Sequence, residues 1–226
     1  QQPAFAVLAI ATLALGIGAN AAIFALVDAT LLRPLPLPEP ERVMAVFERN
    51  AATPRGAVSP LNLRDWDERN KSFVRIAGAM PNVASMVMAG ADGQAETVSR
   101  QWVTAGIFDA LGVTPIIGRS FNAEDDRTGR NAVVLNESFW RARYGADPAV
   151  VGKTIIVNGQ SLEIIGVAPR GFQGTTLGLA PKLWVPVTLR ETMNPGWTGF
   201  ESRRSYWAYL FARLKPGVAI EQASAS

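Results

Sequence analysis

AFAVLAIATLALGIGANAAIFALV, residues Ala4 to Val27, carries no charged side chain; neither do Gln1 to Pro3, and the first charge is Asp28. As an α-helix these residues would extend about 36 Å, enough for a hydrocarbon layer of about 30 Å. The run is apolar on every side, unlike a helix that rests one face on a soluble core. It also lacks the basic start and short apolar centre of a secretory signal. A transmembrane helix is therefore expected over residues 1–32. Ala14, Gly18 and Ala22 recur every four residues, and small side chains at that spacing let a second membrane helix approach closely. Asn20 lies one face over. It is either a tolerated polar residue or a hydrogen-bonding group between helices. Both readings imply a partner helix that this chain does not supply.

One competing reading uses the same residues. Gly16-Ile-Gly18-Ala-Asn-Ala21 approximates a dinucleotide fingerprint, and Val43 to Phe47 resembles a strand leading to Glu48, where a ribose-binding acid would sit. Against it, the preceding run is rich in alanine and leucine rather than β-branched residues. The following helix would have no polar face, and no strand–helix alternation continues beyond Glu48.

Composition narrows the function. Across 226 residues, 22 Lys and Arg stand against 19 Asp and Glu, a net charge of 22 − 19 = +3. That excess is too small to suggest a nucleic-acid surface. Histidine and cysteine are both absent. Histidine-assisted serine or cysteine nucleophiles and Cys/His zinc sites are thereby excluded, and the usual acid–base group for neutral pH is missing. The lack of cysteine is compatible with either redox compartment.

Arg33-Pro-Leu-Pro-Leu-Pro-Glu-Pro40 ends the helix, because each proline removes a donor and holds the backbone extended. Residues 33–42 are expected to form a proline-rich exit linker, and residues 43–226 a core domain with a second subdomain at about 115–200. Val43 to Phe47 reads as a strand. Ser59 and Pro60 fit the cap and first turn of a helix to about Asn70, with Leu63, Trp66 and later Phe73 facing inward. Val83 to Met88 is a strand turned at Asp92-Gly93, and Glu96 to Val103 is extended again. Thr104 is expected to cap a short helix built on Ile107, Phe108 and Leu111 that stops at Gly112. Val133 to Leu135 leads to a helix capped by Asn136, with Phe139, Trp140 and Tyr144 on one face and Gly145 as its stop. Asn158-Gly159, between Thr154 to Val157 and Ser161 to Val167, marks a two-residue hairpin. Leu183 to Val187 and Tyr206 to Leu214 complete the strands. Hairpins mixed with single helices indicate an α+β fold. Val218 to Ser226 reads as the opening of another helix, so the chain is expected to be cut there.

Few residues suggest chemistry. Gly152-Lys153-Thr154 imitates the end of a phosphate loop, but Asp147 replaces its first glycine and the segment leads into a strand rather than a helix. Glu124-Asp125-Asp126 lacks the alternation of a calcium loop and reads as a solvated loop. Arg64, Asp65, Asp67, Glu68, Arg69 and Lys71 form a mixed charged helix face. Arg203 and Arg204 could meet anionic headgroups or an acidic partner, although an exposed pair is commoner. Trp66, Trp140, Trp184 and Trp207 read as core. No catalytic, cofactor-binding or metal-ligating residue is expected, and no cofactor.

Taken together, the sequence resembles the MacB-like (FtsX-like) permeases of ABC transporters, especially the duplicated orphan type of acidobacteria. The likeness rests on ALGIGANAAIF (Ala14 to Phe24) and Leu31-Leu-Arg-Pro-Leu-Pro36, then on Leu63-Arg-Asp-Trp66, Ser72-Phe73 and Ile107-Phe108. It continues through Leu111-Gly-Val113, Pro115, Gly118-Arg-Ser-Phe121 and Glu124-Asp125. Ala146-Asp-Pro-Ala-Val-Val-Gly152, Val157-Asn-Gly159, Leu183-Trp-Val-Pro186 and Arg213-Leu-Lys-Pro-Gly217 complete it. The resemblance implies a four-helix permease of the bacterial inner membrane, whose first helix precedes a large periplasmic core domain. Such a permease would form a dimer with a second copy in the lipid bilayer. It would couple to a cytoplasmic ABC ATPase, meet a periplasmic adaptor, and bind no nucleic acid. Its role would be mechanical, passing ATP-driven motion to the periplasmic domain in export, with hydrolysis on the separate ATPase. The face of Ala14, Gly18, Asn20 and Ala22 would pack on the other helices. The chain departs from the pattern in lacking the later helices and the segment that docks the ATPase. The alternative is a singly anchored extracytoplasmic binding or scaffolding domain.

Overall fold

A computed structural model of the chain describes residues 3–27, 37–49, 53, 55–90, 93–176, 178–194, 196 and 202–224. They belong to two compact units, Gln1–Leu35 and Pro36–Ser226. The first holds one helix, α1 (Pro3–Val27), with no acidic residue in its first turn and no basic one in its last. Its continuous run of described side chains, residues 10–25, is exposed throughout. That run would extend about 24 Å. Among the described residues no helix is long and apolar enough to cross a membrane, so the expectation of a spanning helix rests on the sequence of the whole apolar stretch. Of the expected exit linker, residues 33–36 lie outside the described residues. Its end is a short 3₁₀ turn, Pro40–Arg42, rather than an extended rod.

The second unit is a mixed sheet with helices on its faces. In chain order its elements begin with β1 (Val43–Val46), α2 (Pro60–Arg69), β2 (Phe73–Ala79), β3 (Ala84–Ala89), β4 (Ala95–Val103) and α3 (Ile107–Leu111). There follow β5 (Ile117–Gly118), α4 (Ala123–Thr128), β6 (Ala132–Leu135), α5 (Glu137–Tyr144), β7 (Thr154–Val157) and β8 (Gln160–Val167). β9 (Leu183–Pro186), α6 (Arg190–Met193), β10 (Tyr209–Leu214) and α7 (Ile220–Ser224) complete the unit. The strand order is β1-β10-β2-β4-β3-β7-β8-β6-β9, with β5 beside β8. A parallel pairing of β9 with β4, Arg100 opposite Leu183 through Val103 opposite Pro186, closes the last six of these strands into a ring. β2, β10 and β1 extend from it as an antiparallel wing. The α+β expectation holds, while β4–β9 and β6–β8 add parallel pairings.

Two apolar cores follow from the alternation of side chains along these strands. The first gathers Leu63, Ile76, Met88, Val98, Trp102 and Leu135. The second gathers Ala77, Val103, Phe108, Phe121, Val134 and Trp184. β6 is buried at every position and divides its residues between both cores, which explains its unbroken apolar sequence. In the second core the Phe172 ring stacks on Trp184 with centroids 5.1 Å apart, and Phe108 meets Trp184 edge-on at 5.7 Å.

Local signals mostly set the elements they suggested. Ser59 Oγ accepts the Asn62 N–H at the start of α2, and Asn136 Oδ1 accepts the Ser138 N–H at the start of α5. Asn158 and Gly159 both take left-handed backbone angles, φ 45° and 76°, as a tight primed turn requires. The second strand of that hairpin starts one residue earlier than expected, at Gln160, and the last strand three residues later, at Tyr209. The turn expected at Asp92-Gly93 falls partly outside the described residues.

Two local expectations are corrected. Thr104 does not cap α3. Its Oγ1 accepts the Gly78 N–H at 2.8 Å, joining β2 to the end of β4, and the N-cap position belongs to Gly106. Glu124-Asp125-Asp126 is not a solvated loop but the first turn of α4. There Asn122 and Asp125 exchange side-chain-to-backbone hydrogen bonds in a capping box. Acidic residues there also complement the helix dipole.

Candidate functional site

The charged groups of the second unit are largely committed to structure. Arg119 forms a two-pronged pair with Asp125 at 2.6 and 2.9 Å. Burial alone would push the Asp125 carboxyl up, but the Arg119 hydrogen bond and the Asn122 N–H outweigh it and hold the group below its ordinary value. Asp67 takes both the Arg75 guanidinium and the Ile76 N–H at 2.8 Å, so the charged face of α2 is anchored to β2 rather than merely solvated. Arg203, one of the two candidate headgroup cations, pairs with Asp65 at 2.8 Å and donates to Asn62. Lys153 pairs with Asp147 at 3.0 Å, and Gly152 is a left-handed turn entering β7, so the phosphate-loop imitation is a structural corner. Trp140, Trp184 and Trp207 are buried and Trp66 is half-buried, as core positions. No group of three acidic residues that could hold a metal ion occurs among the described residues.

Asp126 is committed on one oxygen only. Its carboxylate accepts the Ala105 N–H at 2.8 Å, tying α4 to the turn before α3. The other oxygen, Oδ1, is buried without a hydrogen-bond partner. Burial, with a smaller push from Asp125, raises its pKa to about 6 despite the Ala105 hydrogen bond.

A second arrangement of buried charge lies where residues 37–42 meet the sheet. Arg213 of β10 is buried, and its Nη2 donates to Pro38 O and Leu111 O, both at 2.7 Å. One guanidinium thus holds the entering segment and the end of α3 together. Gly112 leaves room for it, since a Cβ there would stand 2.1 Å from Nη2. Arg42 pairs with Glu39 and donates to Leu214 O, with Nη2 at 2.7 Å. Leu37 packs against the second core. Charged donors on carbonyls make hydrogen bonds stronger than neutral pairs do. Residues 37–42 are therefore clasped to β10 and α3 at several points. Sequence reasoning missed this clasp. Arg213 stood within a quoted motif, but nothing in the sequence linked it to Pro38 or Leu111.

The small-residue face of α1 belongs to the first unit. Ala14, Gly18, Asn20 and Ala22 are all exposed. No atom lies within 4 Å of a Cβ placed at Gly16 or Gly18.

Comparison with known proteins places this geometry. Residues 6–226 match the family described as MacB-like periplasmic core domain. No curated protein matches significantly. Among solved structures, the periplasmic region of MacB from Actinobacillus actinomycetemcomitans aligns at 18% identity and a TM-score of 0.57, over 81% of this chain and 79% of that one. The extracellular domain of the noncanonic ABC-type transporter YknZ from Gram-positive bacteria aligns at 15% identity and 0.54, over 81% and 87%. A domain of a putative permease protein from Porphyromonas gingivalis aligns at 19% identity and 0.53, over 82% and 80%. At these identities the likeness is one of fold.

Proposed function

The chain belongs to the family of MacB-like periplasmic core domains, and on that premise we propose that it is the first helix and core domain of an ABC-type permease. In this reading residues 1–32 span the bacterial inner membrane and residues 33–42 leave it. Residues 43–226 then stand on the extracytoplasmic side, with a second subdomain at about 115–200. The permease pairs with a second copy and is driven by a separate cytoplasmic ATPase, so the chain itself performs no chemistry. Its task is to pass motion of the membrane helices into the core domain during export, with a periplasmic adaptor as a further partner.

The clasp of Arg213 and Arg42 on residues 37–42 carries this reading. In this reading a displacement that reaches residues 37–42 passes through these bonds to β10, at the centre of the β1–β10–β2 wing, and to α3. The small-residue face of α1 supports it from the other end, because an exposed apolar helix with that spacing is suited to close packing on membrane neighbours. The test is Gly18→Leu in the complete permease assembled with its ATPase in lipid. The bulky side chain should weaken helix association and reduce stimulation of ATP hydrolysis. Unchanged assembly and unchanged ATPase rate would remove the role given to this face.

A further inference from the structure

All six strands of the ring contribute to the first core, among them Met88, Val98, Leu135, Val157, Leu162 and Leu183. Arg100 stands on β4 midway between Val98 and Trp102, and side chains two apart on a strand share a face. A cation is thus placed on the apolar face of the ring. Its guanidinium lies over the Trp102 ring, 4.4 Å from the centroid. Nε and Nη1 are both buried, and neither has a hydrogen-bond partner. Arg213 and Arg119, by contrast, bind carbonyls and a carboxylate.

A second cation stands near it. β9 runs parallel to β4 with Pro186 opposite Val103, so the 3₁₀ turn Val187–Leu189 and then α6 begin where β4 ends. Val187, Leu189 and Met193 of these elements belong to the first core. Arg190 is close enough for its charge to press on Arg100. Burial, with that smaller push, lowers the Arg100 pKa to about 10, and no carboxylate pulls it back. Thr188 Oγ1, two residues before Arg190, is a further buried atom without a hydrogen-bond partner. Arg100, Thr188 and Arg190 are each only half-buried, so the cluster is not sealed from solvent. A cation taken out of water is costly unless an opposite charge and hydrogen bonds compensate it. Water would satisfy the donors without neutralising the charge, whereas an anion does both.

We propose that Arg100, Arg190 and Thr188 form a binding site for a small, doubly charged oxyanion, either inorganic phosphate or a phosphate monoester. The Arg100 fork and the Arg190 guanidinium take its oxygens, and the Thr188 hydroxyl donates to another. The Trp102 ring holds the Arg100 guanidinium in place for this contact. The inference stands on the second unit alone and holds whether or not the permease reading does.

The probe is inorganic phosphate, titrated by calorimetry into the full chain in dodecyl maltoside at pH 7.5, with chloride at equal ionic strength as the reference. Phosphate should bind saturably and raise the urea midpoint read by tryptophan fluorescence. Arg100→Met should weaken binding by about tenfold or more and abolish that rise. Without phosphate its midpoint should exceed that of the wild type, because an uncompensated cation is gone. Should this variant fail to fold, Arg190→Met supplies the same binding readout. Arg204→Met, which removes an exposed cation outside the cluster, should bind phosphate as the wild type does. Glycerol 3-phosphate separates the two sources: tighter binding of this ester assigns the site to a headgroup-like phosphate, and tighter binding of the free ion assigns it to phosphate itself. Three results would overturn the proposal: no effect of phosphate beyond that of chloride, undiminished binding by Arg100→Met, or an equal loss in Arg204→Met.

Discussion

Replacing Asp126 by asparagine tests whether a buried carboxylate weakens this fold at neutral pH. Asp126 titrates near 6 in the folded chain, against an ordinary value of 3.8, and burial is the main cause. A carboxyl whose folded pKa is raised contributes stability below its unfolded pKa, and loses it as pH rises through the folded value. The window is therefore about pH 4 to 6, with the full penalty present by pH 7.5. A shift of about two units corresponds to a ceiling of about 3 kcal/mol. Asparagine keeps an oxygen for the Ala105 N–H, but its amide nitrogen inherits the buried, partnerless place of Oδ1. That orphaned group costs about 1–2 kcal/mol, leaving a net gain of about 1–2 kcal/mol at pH 7.5. At pH 4, where the wild-type carboxyl is largely protonated, the gain should vanish. All six tryptophans lie beyond Leu35, so urea unfolding followed by tryptophan fluorescence reports the second unit alone even with α1 held in detergent. Equal stability of the two proteins at pH 7.5, or the same gain at both pH values, would refute this account of Asp126.

Other perturbations probe the clasp, the strand corner and the core. Arg213→Met should lower stability by about 2–3 kcal/mol by stripping two carbonyls of a charged donor, and limited proteolysis should then cut near Pro38 sooner than in wild type. Gly118→Ala should cost about 2 kcal/mol or more, because φ there is +72° and the new Cβ would stand 2.2 Å from Ile165 O. An unchanged urea midpoint would mean that β5 shifts freely. Trp184→Ala, which opens a cavity beside Phe108 and Phe172, should cost about 3–5 kcal/mol, checked by the same unfolding curve.

Much of the local structure was legible because its causes are local. The Ser59 and Asn136 caps, the Gly112 and Gly145 stops and the Asn158-Gly159 turn each depend on a few neighbouring residues. The α4 region was misread for the opposite reason. A run of acids usually faces water, and what made this one helical was Arg119 reaching Asp125 together with the capping box from Asn122. Thr104 was a plausible cap until the fold set Gly78 beside it, and a nearby donor from another strand outcompeted the local one.

Sequence alone determined the uncharged opening run, the exclusion of histidine and cysteine chemistry, the α+β class and the ordered motifs of the family. All of these are properties of residue type and short-range order. Only the tertiary structure decided that β9 returns to β4 and closes a ring, that Arg213 joins Pro38 to Leu111, and that Thr104 bonds Gly78 rather than capping α3. Those depend on residues far apart in the chain meeting at specific distances. No local propensity encodes such meetings, because each is fixed by how the whole set of apolar faces is buried at once.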